Sequence, residues 1–228
     1  MLSIRNLAVG MLVAVFCVTA SAETLESHED RLSYTIGMDI GQSLAEQGLD
    51  LDLDLLVEAL RASYLGEETL LTEEEALEER DLFMQRRQQE METERAAEAD
   101  RNLEEGQAFL AENRQRDDVT ETDSGLQYRV IEAGDGASPE ASDRVTVHYR
   151  GTLIDGTEFD SSHAREEPAS FGLDQVIPGW TEGVQLMQEG AIYEFFIPAD
   201  LAYGAEGRPG PIGPNSTLIF EVELIEVH

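Results

Sequence analysis

The chain has 228 residues, with 48 acidic side chains against 15 basic ones and a formal net charge of -33. Every basic residue is arginine; there is no lysine. Such a balance argues against nucleic acid as a partner, because its phosphates would be repelled, and against binding an anionic membrane surface.

The first residues read as a leader rather than as fold. Arg5 precedes an apolar run over residues 7–18, too short to span a hydrocarbon core of roughly 30 Å as a helix. Small residues come next at Ala20, Ser21 and Ala22. The pattern is that of a secretory signal peptide over residues 1–22, cut after Ala22. Cys17, the only cysteine, lies inside it, and Phe16 before it does not suit a lipoprotein signal. The processed chain would carry no thiol for a disulfide, a nucleophile or a metal.

Residues 23–118 lack proline and read as helical. Ser27 and Asp30 stand at capping-box spacing, and Leu32, Ile36, Ile40 and Leu44 make one apolar stripe up to Gly48. Leu53, Leu56, Val57, Leu60 and Tyr64 repeat the scheme before Gly66. Residues 72–116 are strong helix formers throughout, predicting a rod of roughly 60 Å. Its middle, 85–102, is charged, small or amide, with Met91 the lone large apolar side chain. The expectation is a solvated connector that does not dock on the residues beyond 118. The two short helices have apolar faces in need of cover. Either they pack only on each other, or a second copy supplies the rest; the expectation is a homodimer through residues 23–70.

After Gly125 the apolar period changes to two. Residues 126–131, 144–154, 191–198 and 217–227 read as strands. Asp155-Gly156 marks a tight hairpin. One helix-sized segment, 178–189, lies among them. Pro178 suits a first helical turn, and it holds Ile177 extended so that the Ile177 N–H is left as a free donor. Trp180, the only tryptophan, then lies between helix and sheet. Spacing alone leaves open whether it is core or the floor of an apolar cavity. The fold class is α+β: an all-α N-terminal region, then an antiparallel sheet wrapped over one short helix.

The stretches "VTVHYRGTLIDGTEFDSS" (145–162), "QVIPGWTEGVQLMQEG" (175–190) and "DLAYGAEGRPGPIGPNSTLIFEVELI" (200–225) resemble, in order and spacing, the FKBP-type peptidyl-prolyl cis-trans isomerases. "RLSYTIGMDIGQSLAEQGLDLD" (31–52) and the long helix are similar to the dimerisation region of the exported Mip/FkpA-like subfamily. The resemblance implies a signal peptide at 1–22, a helical dimerisation region at 23–118 and an isomerase domain at 119–228. It implies a periplasmic or outer-membrane-associated protein acting on proline-containing unfolded polypeptides, without a cofactor and open to macrolide inhibitors.

Carried over position by position, the resemblance puts Tyr149, Asp160 and Tyr203 in catalytic places. It puts Phe159, Arg165, Val176, Ile177, Trp180, Ile212 and Phe220 in substrate-binding ones. Trp180 becomes the pocket floor; the Ile177 N–H and the Tyr203 hydroxyl become donors to substrate carbonyls. Ala169 and Arg208 depart from the family's macrolide-binding prototype, which has a bulky aromatic residue and a histidine there. The chemistry breaks no bond, so no nucleophile, metal or proton shuttle is expected. The four histidines show no metal-ligand spacing, and the glycine-rich stretch 204–213 lacks a phosphate loop's Gly-Lys-Ser/Thr. An alternative in another class is a folding chaperone that holds unfolded chains, with isomerisation secondary.

Overall fold

The computed structural model describes residues 25–228, so the expected leader lies outside the described residues. The chain divides into two compact units, Met1–Thr72 and Glu73–His228.

In the first unit, α1 (His28–Glu46) opens on Ser27. The Ser27 hydroxyl accepts from the Asp30 N–H at 3.0 Å, and the Asp30 carboxylate accepts from the Ser27 N–H at 3.1 Å. This reciprocal box satisfies two donors that the helix itself cannot. In α2 (Leu53–Leu65) Asp52 accepts from the Asp54 and Leu55 N–H groups, and Gly66 closes the helix at φ 68°. Caps fix where these helices begin and end, but among the described residues their apolar faces have no cover. No residue of α1 or α2 is buried, and Leu32, Ile36, Val57 and Leu60 each stay at least half exposed.

The second unit begins with α3 (Glu73–Asn113). As expected, most of its middle, residues 85–98, is exposed. Its second half is not a free connector, and here the structure corrects the expectation. Ala99, Asn102, Gly106, Phe109 and Asn113 recur at helical spacing and face the C-terminal sheet and its loops. The Asn102 side chain donates to the Pro214 carbonyl at 2.8 Å, and the Asn215 side chain donates to the Ala99 carbonyl at 3.3 Å. Gly106 lies so close to Thr217 that a Cβ would overlap the threonine hydroxyl. The Phe109 and Phe196 rings are 5.9 Å apart. Asn113 donates to Gln127 at 2.9 Å, and Gln127 donates back to the Leu110 carbonyl at 2.9 Å. This face is built from small and amide residues, so it carries no apolar stripe to announce it. It also explains why the units divide after Thr72 and not after residue 118.

The sheet has seven antiparallel strands: β1 (Thr120–Glu121), β2 (Gln127–Glu132), β3 (Arg144–Leu153), β4 (Glu158–Ser161), β5 (Ala169–Gly172), β6 (Ile192–Ile197) and β7 (Leu218–Val227). Their order is β1-β2-β6-β7-β3-β4, with β5 also on β3. Alternation along β7 buries Leu218, Phe220, Val222 and Leu224, and Val145, Val147 and Tyr149 of β3 share that side. α4 (Pro178–Val184) lies on this face, burying Trp180 and Val184 one turn apart. It stops short of the expected residue 189. The chain tightens instead into turns closed by Leu186 N–H to Gly183 C=O and Met187 N–H to Val184 C=O, which still bury Met187.

Candidate active site

A cavity of about 540 Å³ opens where the start of α4, the β3–β4 hairpin and the loop 203–214 converge. Each element brings its residues for a local reason. Gly151 of β3 pairs with Asp160 of β4 on one side and with Phe220 of β7 on the other. A Cβ at Gly151 would come within 2.6 Å of the Phe159 ring and 2.8 Å of the Phe220 ring. The missing side chain is what lets these two rings close to 5.4 Å, edge to face.

Trp180 is 4% exposed. Three rings stand nearly perpendicular to its indole or steeply tilted against it: Phe220 at 5.2 Å, Tyr149 at 5.4 Å and Phe171 at 5.8 Å. Edge-to-face packing of this kind fixes ring orientation as well as burying area. Among the described residues the Trp180 indole N–H has no oxygen or nitrogen acceptor.

One edge of the cavity is polar. The Tyr149 hydroxyl donates to Asp160 Oδ2 at 2.7 Å, Arg165 Nη1 donates to Asp160 Oδ1 at 2.6 Å, and Arg165 Nη2 donates to the Tyr149 oxygen at 2.8 Å. Arg165 also lies over the Tyr149 ring at 5.6 Å. Partial burial alone would raise the Asp160 pKa. The hydrogen bonds from Tyr149 and Arg165, with the Arg165 charge, outweigh it and hold the carboxyl below its usual range. Partial burial and the bond to Asp160 push the Tyr149 hydroxyl up. Asp160 is therefore an ionised, doubly held acceptor, and not a base waiting for a proton.

Ile177 is extended (φ -62°, ψ 149°), and its carbonyl accepts the first helical bond, from the Trp180 N–H at 2.9 Å. Among the described residues none accepts from the Ile177 N–H. Tyr203 stands across the cavity. Arg208 donates to its oxygen at 3.2 Å and lies over its ring at 5.6 Å, which leaves the tyrosine's own O–H free to donate into the cavity.

Of the expected site residues, Tyr149, Phe159, Asp160, Val176, Ile177, Trp180, Tyr203 and Phe220 line this one cavity. Arg165 stands behind it and acts through Asp160 and Tyr149. Ile212 is buried in the core and lines a neighbouring groove instead. Phe171 and Gln175, which the motifs do not single out, line the cavity, and so does Arg208. Phe171 carries no usable signal: its strand is four residues long, too short to show alternation. Ala169 is absent from the wall.

The same architecture recurs in known proteins. The family model for the FKBP-type peptidyl-prolyl cis-trans isomerase matches residues 136–225, and that for the domain amino terminal to it matches residues 29–130. The chain is 44% identical to "Outer membrane protein MIP" of Legionella longbeachae over 96% of its own length and 94% of the relative's. It is 49% identical to a probable FKBP-type isomerase FkpA of Neisseria meningitidis, over 86% and 73% of the two lengths. The crystal structure of FkpA from Escherichia coli superposes with a TM-score of 0.76 at 36% identity, covering 90% of this chain and 98% of that one. With two family models spanning most of the described residues and relatives aligned nearly end to end, the chain belongs to the FKBP-type peptidyl-prolyl cis-trans isomerases.

Proposed function

We propose that the cavity over Trp180 is where this isomerase turns X-Pro bonds, with the prolyl ring on the indole and between Phe159 and Phe220. The observation that carries the reading is the meeting of an aromatic box with unspent donors at Ile177 and Tyr203. Prolyl isomerisation has a barrier of about 18–20 kcal/mol that comes from amide resonance. Resonance separates charge in the planar amide, so an apolar box disfavours the planar form relative to the twisted one. The Ile177 N–H and Tyr203 O–H hold flanking carbonyls while the bond rotates. Asp160, fixed at both oxygens, keeps Tyr149 and Arg165 in place at the rim. The same box offers a seat to macrolide inhibitors. Relatives and family models are isomerases by name, which favours isomerisation over a holdase role as the primary activity.

Asp160→Leu removes the acceptor of both Tyr149 and Arg165. The expected result is a loss of about 10- to 100-fold in kcat/KM on a short proline peptide, with unchanged circular dichroism. A depressed folded-state pKa means that the contribution of Asp160 to stability is complete above about pH 4 and disappears only as the pH falls through the lower folded value. The wild-type pH–rate profile should therefore be flat between about pH 5 and 8. An inflection there that vanishes in Asp160→Leu would overturn this role, as would full activity in the folded variant.

We further propose that the processed chain works in the periplasm as a homodimer built on residues 23–70, because the faces of α1 and α2 have no cover among the described residues. Sedimentation of residues 23–228 at micromolar concentration should give twice the monomer mass. Ile36→Glu combined with Val57→Asp should halve it without changing short-peptide turnover, since all cavity residues belong to the second unit. A wild-type monomer would refute the assembly.

A further inference from the structure

Between α3 and the loop 203–214 lies a second depression, of about 630 Å³. Met91, Glu94 and Glu98 of α3 form one wall, and Pro209, Pro211 and Ile212 of the loop form the other. Arg208 lines both this groove and the cavity over Trp180, so the two are neighbours across one side chain. Met91, the lone large apolar residue of an otherwise polar helix segment, is 51% exposed and takes no part in the core. Its place on the groove wall gives it an occupation that packing does not.

The groove is preformed. Arg95 donates to the Glu206 carbonyl at 2.9 Å and to its carboxylate at 3.3 Å, tying one stem of the loop to α3. Asn102 ties the other stem through Pro214. The prolines in between have fixed φ and no N–H to spend on internal bonds. The lining mixes apolar side chains with an excess of carboxylate: Glu94, Glu98 and Glu206 face two arginines, of which Arg95 is paired to Glu206 and Arg208 is held by Tyr203.

We propose that this groove is an extension subsite of the isomerase, taking client residues that flank the proline and favouring apolar or basic side chains there. The inference rests on the isomerase reading of the neighbouring cavity. An extended chain advances about 3.3–3.6 Å per residue, so residues a few places from the proline leave the cavity and pass the Arg208 wall. Methionine adapts to many side-chain shapes, which suits a subsite that must accept varied clients. Basic side chains relieve the carboxylate excess, and acidic ones add to it.

The test compares a short proline peptide with two longer peptides of the same X-Pro core, one extended on both sides with Leu and Lys, the other with Glu. With the full processed chain at low salt, kcat/KM for the Leu/Lys peptide should exceed that for the Glu peptide about fivefold, and the gap should close as salt rises. Glu94→Lys should reverse the order, and Met91→Asp should lower turnover of the Leu/Lys peptide. Both variants should turn over the short peptide as the wild type does. Equal turnover of the two long peptides by the wild type would overturn the subsite. So would variants that change the short peptide as much as the long ones. Failure of the wild type on the short peptide would instead remove the isomerase reading on which the subsite depends.

Discussion

Replacing Gly151 with valine should cost about 100-fold in kcat/KM while the protein still folds. The new side chain would need the space that the Phe159 and Phe220 rings now hold at 2.6 and 2.8 Å from its Cβ position. Overpacking of this kind costs about 1–3 kcal/mol in stability. The cost to activity is larger, because the rings that must give way are two walls of the cavity. A displacement of about 1 Å in a positioned group is enough for a loss on the order of 10²-fold. Gly151→Ala should fall between the wild type and valine. The measurements are short-peptide turnover and thermal unfolding on the same samples. A folded valine variant with wild-type turnover would show that the two rings do not define the pocket.

The second large effect concerns where the catalytic unit starts. A fragment over residues 119–228 contains every residue of the cavity, yet it should be less stable than a fragment over residues 91–228 by about 3 kcal/mol. Cutting at 119 strips Gln127, which is 1% exposed, of its Asn113 and Leu110 partners, and it uncovers Phe196 and Thr217. For a domain of this size the loss corresponds to a fall in Tm of roughly 12 °C or more. The shorter fragment should also turn over peptides more slowly at temperatures where it is folded, because the loop bearing Tyr203 has lost Arg95 and Asn102. Equal melting of the two fragments would mean that the α3 contacts contribute nothing.

That boundary also shows what can and cannot be read from residues alone. Strands β3 and β7 are legible because each buries one alternate set of Val, Leu and aromatic side chains over ten residues. The place of Trp180 between helix and sheet is legible because Pro178 marks the helix start, but spacing alone does not distinguish core from cavity wall; only the family resemblance does. The docking face of α3 is not legible, since hydrogen bonds from two asparagines and the close approach of a glycine leave no hydrophobic period. Strand β5 is four residues long between Pro168 and the turn after Gly172, too short to show alternation, so nothing in its pattern announces Phe171 as a wall of the cavity. Ile212 matches its motif position but turns toward the groove, because the motif specifies the residue and the anchored loop decides which way it faces.

The position of Trp180 has a spectroscopic consequence. This is the only indole in the chain, and it lines the cavity. All tryptophan emission from the protein therefore originates at the wall of the proposed catalytic cavity, with no second emitter elsewhere to dilute it. A prolyl ring or inhibitor laid on the indole displaces whatever solvent reaches its exposed edge, so occupancy registers as a change in fluorescence intensity and wavelength. Binding at the extension groove, one side chain away, leaves the indole dry or wet as it was. Without any label, the chain thus separates ligands that reach the floor from those that stop at the rim.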